Sequence, residues 1–306
     1  LAGSTHAAKL NFFSSLLTRF RLRKIFHRLY LIASTLDFSE MVEHKTPERV
    51  SSIKEALALV ERDGAVILQK IDTSEYGSQQ LMADLLGDSL QALPPPAKVF
   101  HGGEQDQKLV DTDNLDPLPV HTDGFSYGDA YPDYLLLVCV VSSDEGGENF
   151  LVDGYSVLDS LGADADRAWV AKALPETVVN QTEENMQESI SPIVQTTPNG
   201  RCMVRRTFDQ RGEDPKPSRQ SEDPERDREM ISAWSQAIDE AAETAPRFKL
   251  AAGEAVLVDN YRMFHGRTGY ADPDRMMWRV WGWSDKALKI PEQPLHSDSR
   301  YARTQG

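Results

Sequence analysis

The chain has 306 residues, of which 40% are hydrophobic and 26% charged, and its formal net charge is −15. No apolar run approaches the ~18 residues that would suggest a membrane-crossing helix, and the acidic excess disfavours phosphate backbones, so neither a membrane nor a nucleic acid is an expected partner. Cys139 and Cys202 are the only cysteines, too few for a disulfide framework or a paired-cysteine metal site.

Residues 1–36 hold six basic residues and no acid; removing those six from the 33 basic residues leaves 27 against 48 acidic. Two readings of this stretch stand open: a transit-like peptide, or a disordered leader or gene-model artefact ahead of Met41. The expected division is a leader over 1–40, a single catalytic domain over 41–290 and a tail over 291–306. The expected compartment is the cytoplasm, with mitochondrial import the consequence if 1–36 is a transit peptide. From Pro47 the pattern predicts a helix over Val50 to Glu61, a strand over Ala65 to Leu68 after the Asp63-Gly64 turn, and a second helix ending near Gly87. Pro94-Pro95-Pro96 breaks regular structure, and His101 to Pro119 reads as a long, lid-like loop. Strands follow at Tyr134 to Val141 and Asn149 to Asp153, then a helix from about Asp153–Ser156 to Leu161. Ile193 to Thr197 and Arg201 to Arg206 flank Pro198-Asn199-Gly200 as a hairpin, and the charged stretch Asp214 to Arg228 runs into a helix reaching Ala242. The last strands are Ala255 to Val258 and Met276 to Trp283. Short strands joined by Gly and Pro turns, with helices added, imply a mostly β protein with a double-stranded β-helix (jelly-roll) barrel.

His121-Thr122-Asp123 sets an imidazole and a carboxylate two residues apart, so on a strand both leave the same face and converge on one cation. A short His and Asp pair alone arises by chance; here it stands between a lid-like loop and a buried strand. His265, after a strand and the Asp259-Asn260 turn, is the histidine in similar company. Two histidines and one carboxylate leave open positions on an octahedral metal, which suits non-haem iron(II) taking a chelating cosubstrate and oxygen. Arg275 and Arg279, four residues apart in an apolar segment, share strand parity, and a guanidinium inside a barrel needs an anionic partner such as a carboxylate. Arg205, Arg206 and Asp209 after the hairpin face either a cavity or solvent. A zinc hydrolase would use the same three ligands but has no need of Arg275, and a non-catalytic barrel would need neither.

Four segments, PVHTDGFSYG, EGGENFLVDGYSVLDSL, GEAVLVDNYRMFHGR and RMMWRVWGWSD, occur in an order that resembles the taurine dioxygenase and clavaminate synthase-like oxygenases, nearest the gamma-butyrobetaine dioxygenase group. The likeness spans roughly residues 60 to 285. It implies an iron(II)- and 2-oxoglutarate-dependent dioxygenase that uses O2, releases succinate and CO2, and oxidises, by hydroxylation in the first instance, an unactivated C–H of a small molecule. Desaturation and ring formation are the alternative outcomes. By the same resemblance His121, Asp123 and His265 hold the iron and Arg275 takes the distal carboxylate of 2-oxoglutarate. Asn149 stands where relatives carry a Thr or Ser that helps hold that cosubstrate, and Arg279 stands where some relatives touch substrate or cosubstrate. Because Asp123 is retained, halogenation, which needs that ligand position for chloride, is disfavoured.

Phe125, Tyr127, Tyr131 and Tyr134 follow the metal pair, and Trp281 shares a segment with the arginines. In the butyrobetaine group aromatic rings cage a trimethylammonium, and Trp281 falls at one cage position. With Tyr127 it would suit a cationic small substrate beside an acidic body. The butyrobetaine relatives carry a zinc-binding amino-terminal module, and no cysteine precedes Cys139 here, so substrate identity does not follow from the resemblance. A homo-oligomer is open.

Overall fold

The computed structural model describes residues 45–100, 116–124, 127–182, 188–206 and 216–292. The leader, the tail, most of the lid-like loop, Phe125 and Asp209 lie outside the described residues. Among the described residues no helix is long and apolar enough to cross a membrane.

The strand β1 (Arg49–Val50) leads into α1 (Ile53–Asp63). Ser52 caps this helix by accepting from Glu55 N, and Gly64 closes it in the left-handed region at φ 82°. The helix starts three residues later than its apolar pattern suggests because Ser52 accepts the hydrogen bond that begins it. After β2 (Ala65–Gln69), α2 (Glu75–Leu86) is capped by Ser74. Two short strands, β3 (Leu90–Ala92) and β4 (Ala97–Phe100), were not evident beside the three prolines. Then come β5 (Leu118–His121), β6 (Tyr134–Val141), β7 (Asn149–Asp153), α3 (Gly154–Ala163) and α4 (Ala168–Ala173). The long loop expected to reach Pro119 ends earlier, because Leu118 already pairs with Arg267. Hairpin strands β8 (Val178–Asn180), β9 (Ile190–Pro192), β10 (Val194–Thr196) and β11 (Cys202–Val204) precede the long α5 (Pro224–Thr244), with Asp223 as its N-cap and Pro224 in its first turn. The chain finishes with β12 (Glu254–Asp259), β13 (Met263–Arg267) and β14 (Met276–Ser284).

Seven strands form one sheet in the order β1-β2-β12-β6-β14-β3, with β4 also paired to β14, and three form a second in the order β5-β13-β7. The two-residue period of a strand distributes their side chains between layers. On the large sheet Leu136, Val138, Ala255, Leu257 and Val280 pack under α1 and α2 with Leu59, Val60, Met82 and Leu85. The alternate residues Leu135, Cys139, Val256, Val258, Met277, Trp281 and Trp283 turn inward, where they meet Leu151 of β7. On the small sheet Val120, Phe150, Val152 and Phe264 face outward against α3 and α5, including Trp234. Their strand neighbours His121, Leu151 and His265 therefore face the interior. This is the double-stranded β-helix, and its enclosed face carries the polar groups.

Candidate metal centre

His121 and His265 are direct cross-strand partners in β5 and β13. Their rings stand 4.3 Å apart between centroids and tilted by 47°. Asp123 lies beyond β5, which ends at His121, so strand parity does not aim its carboxylate. A buried asparagine does. Asn260 accepts from Asp123 N at 3.0 Å and donates its amide to Asp123 O at 3.0 Å and Pro132 O at 2.8 Å. From the other side, Thr122 N donates to Arg206 O at 3.0 Å. Gly124, at φ 96°, lets the chain double back: a Cβ there would stand 2.1 Å from Pro132 Cδ.

The three side chains converge. Asp123 Oδ1 is 3.3 Å from His121 Nε2 and 3.6 Å from His265 Nε2, and one donor atom from each residue lies within 4.8 Å of the others. Two neighbouring ligands of an octahedral ion, each about 2.1 Å from it, stand about 3 Å apart, so this spacing suits one small cation. The tautomer supports the same reading. His121 Nδ1 lies 2.9 Å from Pro119 O, a pure acceptor, so Nδ1 carries the proton and Nε2 presents a lone pair to a carboxylate oxygen. Burial, followed by the nearby His265, pushes the His121 imidazole down to about 4, so it is neutral at pH 7. Burial opposes charge on Asp123 too, but the Arg279 guanidinium leads the effects that outweigh it, and the carboxyl is held well below the usual range. Lone pairs of a neutral imidazole and an ionised carboxylate repel at this distance unless a cation lies between them. The donor set of two nitrogens and one carboxylate oxygen fits iron(II).

The second carboxylate oxygen is engaged by the protein. Trp281 Nε1 donates to Asp123 Oδ2 at 2.8 Å, and Arg279 Nη1 lies 3.5 Å from the same oxygen. Arg279 also lies over the Trp281 ring at 4.8 Å, and Tyr127 meets that ring edge-on at 5.9 Å. Arg275 is 5% exposed, and among the described residues no carboxylate pairs with it. Its Nη2 points at Met277 Sδ and its guanidinium lies over Tyr270, while burial pulls its pKa below the ordinary arginine value. Gly147, at φ 73°, clears its approach, since a Cβ there would come within 3.2 Å of Arg275 Nε. Asn149, two residues on and buried, spends its backbone on Phe248, N to O at 2.7 Å and O from N at 2.9 Å. The pairing of β14 with β6 shifts between Met276 and Met277 because β6 carries an extra residue, Val140, whereas β14 stays in register with β4, so the shift leaves intact the parity that Arg275 and Arg279 share. Arg279 faces inward with Trp281 and leans on the Asp123 carboxylate.

Sequence reasoning brought together His121, Asp123, His265 and Trp281 but missed Asn260, which it read only as a turn residue. Nothing local reveals its task, since its partner is 137 positions away. Arg205 and Arg206, left between cavity and solvent, are both completely buried.

Solved structures with the same fold include an asparagine oxygenase in complex with Fe(II), 3-hydroxyasparagine and succinate (TM-score 0.55, 17% identity, covering 76% of this chain and 79% of that one). PvcB from Pseudomonas aeruginosa matches with a TM-score of 0.56 at 17% identity, over 78% of this chain and 83% of its own. AAD-2, solved with Mn(II) and N-oxalylglycine, matches at 0.57 and 14%, over 80% and 98%. The family model "Taurine catabolism dioxygenase TauD, TfdA family" matches residues 31–281, most of the chain. The chain belongs to the TauD/TfdA family of dioxygenases.

Proposed function

We propose that His121, Asp123 and His265 are the iron ligands of this iron(II)- and 2-oxoglutarate-dependent dioxygenase, that Arg275 binds the distal carboxylate of 2-oxoglutarate, and that Asn149 assists it. The carrying observation is the convergence of the three side chains, with Asp123 Oδ1 3.3 Å from His121 Nε2 and 3.6 Å from His265 Nε2 while His121 Nδ1 is turned to Pro119 O. Iron(II) with 2-oxoglutarate and O2 supplies the oxidation of an unactivated C–H of a small molecule, with release of succinate and CO2. The chain's own residues prepare this step. Pro119 O fixes the tautomer of His121, and Asn260 fixes the backbone of Asp123. Trp281 holds Oδ2, leaving Oδ1 toward the two histidines, so the carboxylate presents one oxygen. Arg275, buried and without an acid among the described residues, is suited to a carboxylate at the far end of the cosubstrate.

Hydroxylation is the expected outcome. The long-range field of a body at −15 favours a substrate with a cationic or neutral portion. Tyr127 is a wall of the site in this reading. Trp281 belongs to Asp123 rather than to a cation cage, because Arg279 already covers its ring.

The test is cosubstrate binding to Arg275→Ala, followed by the visible chelate absorption of the anaerobic iron(II) protein. A charge-assisted clamp is worth a few kcal/mol. The dissociation constant of 2-oxoglutarate should rise on the order of 100-fold with iron affinity unchanged. Unaltered affinity would remove Arg275 from the cosubstrate site.

A further inference from the structure

Two buried arginines, Arg206 and Arg275, are held in opposite ways. Arg206 grips an acid, Asp239, with both terminal nitrogens at 2.8 and 2.7 Å, so its charge is used within the protein. Arg275 has no carboxylate partner among the described residues, and what it touches is neutral. Its hydrogen-bonding partners are the Met277 thioether and the Tyr270 phenol, and its guanidinium carbon lies 4.9 Å from the centroid of the Tyr270 ring.

Tyr270 is itself buried and fixed. Its backbone bridges to Gly146, and on either side Gly147 N donates to Gly269 O at 2.9 Å and Ala271 N to Glu145 O at 3.4 Å. The two glycines admit this close approach. At Gly146, φ 72°, a Cβ would stand 2.1 Å from Gly269 O, and at Gly147, φ 73°, one would meet both Tyr270 Cβ at 3.5 Å and Arg275 Nε at 3.2 Å. A second guanidinium, that of Arg267, lies 4.7 Å from the same ring centroid. Arg267 is anchored through Nη1 to Asp116 O at 2.8 Å and Thr268 O at 3.1 Å. It follows His265 by two residues on β13 and pairs across the sheet with Asn149. Tyr270 therefore links the strand of His265, and the partner of Asn149, to Arg275.

A planar guanidinium stacked on an aromatic face is fixed in orientation there. An acid would hold the group equally well but would neutralise it, and an incoming carboxylate would have to displace that acid. A ring holds the plane and leaves the full positive charge in a desolvated place, where its attraction for a carboxylate is strong.

We propose that Tyr270 is a positioning residue for the cosubstrate: its ring sets the plane of the Arg275 guanidinium and leaves the charge for the distal carboxylate of 2-oxoglutarate. The inference rests on the reading that Arg275 binds that carboxylate. No step of the oxidation passes through Tyr270, which acts on the cosubstrate through Arg275.

The test compares two 2-oxo acids on the anaerobic iron(II) form of the full chain, each titrated by its visible chelate absorption. 2-Oxoglutarate has the distal carboxylate, and pyruvate has the same chelating end without it. In Tyr270→Leu the dissociation constant of 2-oxoglutarate should rise about 10-fold, with that of pyruvate and the iron affinity unchanged. Tyr270→Phe, which keeps the ring, should retain most of the affinity. Tyr270→Met, which fills the volume without a ring, carries the same expectation as Tyr270→Leu if the latter does not fold. Wild-type affinity for 2-oxoglutarate in the ringless variants, an equal loss for pyruvate, or a loss as large in Tyr270→Phe would overturn the proposal. Arg275→Ala, titrated alongside, separates the two readings. If it binds 2-oxoglutarate as the wild type does, the assignment of Arg275 fails; if it is weakened while Tyr270→Leu is not, only the role of Tyr270 fails.

Discussion

Val256 and Leu257 at the middle of β12 sit in apolar clusters on the two faces of the large sheet, whereas His121 and His265, paired across the small sheet, meet each other and a carboxylate. The first region gains stability from every contact it makes, at about 25 cal/mol for each Å² of apolar surface removed from water. The second holds lone pairs against one another in a buried place and is kept together by clasps from outside: Asn260, Trp281 and Arg279 on Asp123, and Pro119 on His121. The strands of one sheet make the fold, and the ends of the other gather two imidazoles and a carboxylate that the fold alone does not need.

That contrast can be broken from either side. The largest effect on stability is expected in the apolar half. Leu257→Ala should cost about 2–5 kcal/mol in denaturant unfolding of the metal-free protein, while the refolded variant still binds one iron per chain. Loss of iron binding at native-like structure would show that the two regions are not separable. The next effect is in acid. The His121 imidazole lies at about 4 in the folded protein, below its ordinary 6.5. As pH falls from 6.5 toward 4 the unfolded chain takes a proton that the folded one refuses. The stability present above pH 6.5 is lost across that window, on the order of 3 kcal/mol for the metal-free protein. The difference in unfolding free energy between wild type and His121→Ala, measured at successive pH values, isolates this contribution. A flat difference would mean that His121 is not buried neutral. The smallest effect belongs to Trp281→Phe, which keeps the ring against Tyr127 but removes the donor to Asp123 Oδ2. Iron affinity should fall roughly 10-fold with little change in melting temperature. Unchanged affinity would reduce Trp281 to packing.

The two regions also differ in how much of them was legible in sequence. β6 spans Tyr134–Val141 and β12 spans Glu254–Asp259, close to their uninterrupted apolar runs, because a strand covered on both faces must be apolar at every position. β13 was not visible as a strand. Met263–Arg267 includes His, Gly and Arg, and the inward-facing histidine that matters most is what breaks the apolar pattern. His121, Asp123 and His265 were singled out by residue chemistry and spacing and converge in the fold, yet what aims Asp123 was not legible, because β5 stops at His121 and a distant asparagine completes the turn. Parity suggested that Arg275 and Arg279 act alike. Both do fall on the parity that turns Met277, Trp281 and Trp283 inward, but parity does not say what each touches: Arg275 lies over Tyr270, while Arg279 leans on Asp123. Tyr127 and Trp281 were legible as a pair of rings near the His121 and Asp123 pair, but the occupant of the Trp281 face, Arg279, was not.

The central claim is that His121, Asp123 and His265 together hold the iron to which 2-oxoglutarate binds. An anaerobic titration of the metal-free protein with iron(II) and then 2-oxoglutarate, following the visible charge-transfer absorption of the chelate, tests it most directly. The account predicts that the band develops to one equivalent in the wild type and is lost in a folded His265→Ala variant. A band of full intensity in that variant, or none in the folded wild type, would contradict it.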